Sequence, residues 1–207
     1  LDIPAPDVGT NGQIMAYMMR PYTDGEREHH SLRGVVTGKD VRIGGSEGRL
    51  KATGQGVVYC IEEWARDRGF SIKGARVLVQ GFGNVGAATA EILAAQGARI
   101  VAVNDAFGTV HADGGLDVNA LQRHVHEDPA NLKRTVAGFA GGAAISKADF
   151  WALDADILVP AALGEEIDGD VAERLKVKLV AEGANGPTTQ DGDRVLQARQ
   201  IDVIPDI

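Results

Sequence analysis

The sequence predicts an α/β protein built on a doubly wound parallel sheet with helices on both faces. Three observations carry that prediction. From Lys73 onward short, near-continuous apolar runs recur, each is followed by a segment of helical period, and the glycines gather where those runs end. Strands covered by helices on both faces read as apolar runs of this kind, without strict alternation.

The first element is a helix from about Asn11 to Met19, announced by Thr10 and, three residues later, Gln13, the spacing of a capping box. The polar stretch Thr23 to His30 follows as a solvated loop. A second helix is expected over Ala52 to Arg68. Val57, Val58, Ile61, Trp64 and Ala65 form one apolar stripe on it, and Gly69 stands where a left-handed cap closes it. Then comes strand Val77–Val79, a helix from Asn84 to Gln96 and strand Ile100–Val103, which together make a βαβ unit. The pattern continues with helix 117–127, strand 156–159, helix 171–175, strand 178–181, helix 191–200 and strand 203–204.

Composition narrows the function classes. Of 207 residues 44% are hydrophobic, 24% charged and 5% aromatic, enough for one large core. No run reaches the ~20 apolar residues of a membrane helix, and the turn-rich start LDIPAPDVGTNG is not a signal sequence, so no membrane partner is expected. The absence of an initiator Met marks a piece of a longer protein. Twenty-one Lys and Arg stand against 29 Asp and Glu, a formal charge of −8, which argues against a nucleic-acid partner. Lone Cys60 and five scattered histidines offer neither a disulfide nor a metal site, consistent with a reducing cytoplasm.

The 27 glycines cluster at 44–48, 81–86, 141–142 and 183–186. Gly81-Phe82-Gly83-Asn84-Val85-Gly86 is a GxGxxG between a strand and a helix. Gly81 serves the tight turn, Gly83 admits a pyrophosphate, and Gly86 lets the helix pack close, a Rossmann-type fingerprint. The following strand ends at Asp105, nineteen residues past Gly86, where a carboxylate can accept from the adenosine ribose hydroxyls. Asn104 to Thr109 contains no cation, which favours NAD, with NADP as the alternative. Asp7, behind two prolines, reads from spacing alone as a turn or capping acid or as a reactive carboxylate. Pro160-Ala161-Ala162-Leu163 and Ala181 to Pro187 follow strands, at the edge where ligands bind in such sheets.

PAPDVGTN at 4–11, VTGK at 36–39, GGSEGRLKATGQG at 44–56, GFGNVG, ILVPAAL at 157–163 and AEGANGPTT at 181–189 resemble, in order and spacing, the cofactor-binding part of the glutamate, leucine, phenylalanine and valine dehydrogenase family. The last two are most similar to the pattern of its glutamate members. The resemblance implies NAD-dependent oxidative deamination of L-glutamate to 2-oxoglutarate and ammonia, with Asp7 as the catalytic carboxylate and a hexameric homo-oligomer at full length. It implies that Thr53 and Asn185 contact the nicotinamide side, that Ala161 and Ala162 lie beside it, and that Arg49 stands near the substrate. Residues 1–50 then form a substrate-side segment and 51–207 a truncated cofactor domain. A GGxKGG-like lysine segment used by the family for substrate is absent, so these residues alone are expected not to turn over. Gly12 departs from the family's usual glutamate. A leucine, phenylalanine or valine dehydrogenase and a non-catalytic dinucleotide-sensing module are the other readings.

Overall fold

Apolar runs too short to be helices and too apolar to be surface strands must pair side by side and be covered twice, and the structure, a computed structural model, shows that outcome. It describes residues 2–7, 10–23, 34–49 and 51–206; most of the polar stretch 23–30 lies outside them. Contacts divide the chain into two units, Leu1–Ala52 and Thr53–Ile207.

In the second unit the strands are β1 (Arg76–Gln80), β2 (Arg99–Asn104), β3 (Thr109–His111), β4 (Ala143–Ala144), β5 (Ile157–Pro160), β6 (Leu179–Ala181) and β7 (Asp202–Ile204). They form one sheet in the order β4-β3-β2-β1-β5-β6-β7. The five strands read from the sequence pair in parallel, as expected. The structure adds β3 and β4, which run antiparallel at one edge. Three- and two-residue strands are too short to show a period, which is why the pattern did not reveal them.

Helices α2 (Ala52–Arg68), α3 (Asn84–Ala95) and α4 (Val118–His126) cover one face, while α5 (Lys147–Trp151), α6 (Gly169–Arg174) and α7 (Gln190–Ala198) cover the other. Alternation along β1 divides the core accordingly: Val77 and Val79 pack with Val58, Ile61 and Leu93, whereas Leu78 packs with Phe150, Leu158 and Leu196. The predicted stripe of α2 is its packed face, with Val58, Ile61 and Ala65 buried and Val57 and Trp64 partly so. Helix α5 had a readable signal, because the Ser146 hydroxyl accepts from the Asp149 amide at 3.0 Å as an N-cap.

The first unit carries α1 (Gly12–Thr23). Its N-cap is Asn11, whose Oδ1 accepts from the amides of Gln13 and Ile14, and not Thr10. The helix also runs past Pro21, closed by the Thr23 hydroxyl donating to the Arg20 carbonyl. Met15 and Val36 are buried, and the Thr37 amide donates to the Pro4 carbonyl at 2.9 Å, tying the TGK turn to the proline pair.

Candidate cofactor site

The order of the strands places a switch point at β1: the chain leaves it for β2 on one side and returns to β5 on the other. In open parallel sheets the crevice outside the carboxyl ends at such a point is where ligands bind. Here that crevice is made by Gly81 to Gly86 after β1 and Ala161 after β5.

The glycine turn is dictated by crowding. Gly81 has φ +89°, and a Cβ there would stand 2.6 Å from the Ala161 carbonyl oxygen. A Cβ on Gly86 would stand 1.9 Å from the Gly81 carbonyl oxygen, so any side chain would push α3 off the strand. Gly83 differs: a Cβ would meet nothing within 4 Å, so protein packing does not explain the glycine, whereas close approach by a ligand does. No side chain caps α3, and its first backbone bond runs from the Ala87 amide to the Gly83 carbonyl. The amides of Asn84, Val85 and Gly86 precede that bond and have no intrahelical partner, at the positive end of the helix dipole. These residues fit a pyrophosphate. The Phe82 side chain is core, so only its backbone faces the turn, and Val85 reaches across toward Gly183.

Backbone bonds hold the strand ends together. The Gly81 amide donates to the Asn104 carbonyl at 2.7 Å, the Ala161 amide to the Gln80 carbonyl at 2.6 Å, and the amides of Gly183 and Ala184 to the Pro160 carbonyl at 2.9 and 3.0 Å. The motif segments after β1, β5 and β6 are thereby brought to one edge, where Ala162 and Asn185 are exposed and Ala161 half-buried. Thr53 is exposed in the first turn of α2, and Gly54 behind it sits close to Ala88 and Thr89 of α3. Sequence reasoning missed Gln80, which is 2% exposed and has a buried Oε1 without a partner among the described residues. A polar residue closing the run Val77-Leu78-Val79 immediately before Gly81 was the available signal. At the end of β6 Glu182 is half-buried; burial pushes its carboxyl above the usual range, with the Asp206 amide acting the other way and the Asp206 charge reinforcing the rise.

The corner after β2 is organised differently. Asp105 Oδ1 accepts from the amides of Phe107 and Gly108 at 2.8 and 3.0 Å and from the Thr135 hydroxyl at 2.9 Å, and Oδ2 accepts from the Val136 amide at 2.7 Å. Residues 104–109 carry no cation of their own, but Lys133 is folded in from a distant segment and holds its Nζ 4.9 Å from the centre of the Phe107 ring. The segment 131–139 was read as neither helix nor strand, and no local pattern ties it to Asp105, thirty residues away.

In the first unit Asp7 is exposed. The Thr10 hydroxyl accepts from the Asp7 amide at 2.6 Å and donates to the Asp7 carbonyl at 2.8 Å. The backbone of the acid is thus fixed while its carboxylate caps no helix and makes no hydrogen bond among the described residues. Arg49, also in this unit, is exposed.

A doubly wound sheet with a glycine turn and an uncapped helix at its switch point defines the class: a dinucleotide-fold domain of Rossmann type. Comparison with known proteins makes the assignment narrower. The profile of the Glutamate/Leucine/Phenylalanine/Valine dehydrogenase family matches residues 44–207, and the chain belongs to that family. It is 43% identical, over its whole length and 46% of the relative's, to the cryptic catabolic NAD-specific glutamate dehydrogenase GudB of Bacillus subtilis (strain 168). It is equally 43% identical, over its whole length and 48% of the relative's, to an NAD-specific glutamate dehydrogenase of Staphylococcus aureus (strain COL). Among solved structures, the Leu-bound hetero-hexameric glutamate dehydrogenase from Thermus thermophilus matches 99% of this chain and 47% of its own, with a TM-score of 0.85 and 35% identity. The chain therefore spans about half the length of these relatives.

Proposed function

We propose that this chain is the cofactor-binding half of an NAD-dependent glutamate dehydrogenase, which oxidatively deaminates L-glutamate to 2-oxoglutarate and ammonia and runs in reverse as a reductive amination. The observation that carries the reading is the uncapped N-terminus of α3 behind Gly81 and Gly83 at the sheet's switch point. The NAD-specific relatives support NAD as the cofactor.

On this reading residues 51–207 hold the cofactor and residues 1–50 serve the substrate side. The amides of Gly83 to Gly86 would take the pyrophosphate, and Thr53, Ala161, Ala162 and Asn185 would line the nicotinamide end. When bound, the nicotinamide ring supplies the hydride acceptor. Asp7 then handles protons: it takes one from the substrate ammonium, so that the free amine can push a hydride off the α-carbon. After passing that proton to bulk water, it takes another from the water that attacks the resulting imine carbon, hands it to the nitrogen so that ammonia departs, and takes the remaining hydroxyl proton as the carbonyl forms. A carboxylate held by its backbone and without a hydrogen bond among the described residues suits that work. On the same reading Arg49 would stand near the substrate. A homo-hexamer in the cytoplasm is the assembly and setting that go with this assignment.

Calorimetric titration of the chain with NAD and NADP tests the cofactor reading. Measurable NAD binding, tighter than that of NADP, is expected. No binding of either would remove the dinucleotide assignment, and tighter NADP binding would reverse the choice of cofactor.

A further inference from the structure

We propose that Asp105 is a positioning residue: its carboxylate fastens the segment 131–137, and Lys133 with it, against the turn between β2 and β3, and does not itself bind the adenosine ribose. This rests on the dinucleotide reading of the crevice and concerns how its outer corner is built.

An ionised carboxylate offers roughly four acceptor sites. Those of Asp105 receive four donors: two amides of its own turn, from Phe107 and Gly108, and two groups of the distant segment, the Thr135 hydroxyl and the Val136 amide. Three of them crowd Oδ1 and the Val136 amide takes Oδ2, so both oxygens already serve the junction. The surrounding contacts make the same junction. Gly108 lies so close to the segment that a Cβ on it would stand 2.8 Å from the Ala137 Cβ. The Asn104 side-chain amide donates to the Gly108 carbonyl at 3.1 Å and to the Thr109 hydroxyl at 2.7 Å, stiffening the turn from within. On the segment's other side Asn131 donates to the carbonyls of His124 and Thr135 and accepts from the Thr135 amide. The segment is thus anchored to α4 at one end and to Asp105 at the other. Between those anchors it presents Lys133 over Phe107, a residue 58% exposed at the carboxyl end of β2.

Chemistry separates this role from ribose binding. Asp105→Asn keeps one acceptor oxygen but turns an NH₂ toward backbone amides or a hydroxyl, so it breaks the junction; as a ribose acceptor, Asn would still serve. Hydrogen exchange on the cofactor-free chain reads the junction directly. The amides of Phe107, Gly108 and Val136 should exchange roughly tenfold faster or more in Asp105→Asn. Thr135→Val, which removes one of the four donors, should give a smaller change in the same amides. Binding then reads the consequence, with two probes: NAD, and an NAD analogue whose adenosine ribose lacks both hydroxyls. Asp105→Asn should raise the Kd of both by the same factor, and Thr135→Val should weaken both to a lesser degree. Unchanged exchange, or a loss confined to NAD and absent with the analogue, would overturn the proposal. Failure of the unsubstituted chain to bind NAD would instead overturn the dinucleotide reading, and the exchange rates would still decide what Asp105 holds.

Discussion

Two carboxylates stand out in the sequence, each beside a motif, and the regions around them are opposites. Around Asp7 two prolines and the Thr10 hydroxyl fix the backbone, and among the described residues the carboxylate is left bare. Around Asp105 the carboxylate is the hub, with four donors from two segments converging on it. Position beside a motif nominates an acid for chemistry, but its hydrogen bonds decide whether it is available. A carboxylate without such bonds can take and return a proton, whereas one with donors on both oxygens loses stabilising contacts when it does so.

The largest expected effect lies at the bare acid. In the full-length enzyme, Asp7→Asn should lower turnover by about 10² to 10⁴, the range for loss of a general acid or base, with NAD affinity unchanged. Steady-state rates and a cofactor titration on one variant check this. Near-normal turnover would return Asp7 to the role of a turn residue.

Next come two glycines of one turn, which extend the contrast to the crevice. Gly86→Ala should cost roughly 1 to 3 kcal/mol of stability or more, because its methyl meets the Gly81 carbonyl. Gly83→Ala should leave thermal stability within about 1 kcal/mol while weakening NAD, since its methyl enters open space where the pyrophosphate would lie. Denaturant melts paired with calorimetry separate them. Equal losses of stability would mean that Gly83 is architectural too.

A third acid sharpens the architectural end of the comparison. Asp156 accepts from the Arg76 amide at 2.9 Å and from Lys178 Nζ at 2.7 Å. Burial pushes its carboxyl up, but the Lys178 bond, the Arg76 amide and the two nearby cations together hold it below the usual range. Asp156→Asn should destabilise the fold by about 1 to 2 kcal/mol at neutral pH. Because the folded-state value is depressed, that advantage is present above the unfolded carboxyl's pKa of ~3.9 and vanishes as pH falls through the lower folded value. Melts from neutral pH into acid would show the two proteins converging.

The smallest effect has the opposite sign. Glu182 has its carboxyl raised, chiefly by burial, so ionising it at neutral pH works against the fold. Its favourable contribution is complete below ~4.3 and is lost as pH rises through the folded value. Glu182→Gln should therefore stabilise the chain at neutral pH, by about 0.5 kcal/mol or less because half the group faces water, and that gain should close on acidification. A variant less stable than the parent at neutral pH would show that the bond from the Asp206 amide outweighs burial.

How much was legible varies by element for identifiable reasons. Helix α2 was read to its ends because its stripe and its Gly69 cap are both local signals. β1 and α3 were read to within a residue at each end, because strand, glycines and helix are consecutive there. Helix α1 was misjudged at both ends, because Thr10 and Asn11 are each able to cap and only the folded turn at Asp7 occupies Thr10. The antiparallel edge was hidden because Ala143 and Ala144 carry no strand signal apart from their partners on β3.

By itself the sequence determined the alternation of strands and helices, the glycine turn and its uncapped helix, and the motifs that join the chain to its family. All of these are fixed by neighbours within a few residues or by period. The tertiary structure alone decided what the acids and cations do. Asp105 meets Thr135 and Val136 across thirty residues of chain, and Lys133 reaches Phe107 over nearly as many. Which donors meet an acceptor is a property of atoms brought together by folding, and no spacing in the chain encodes it.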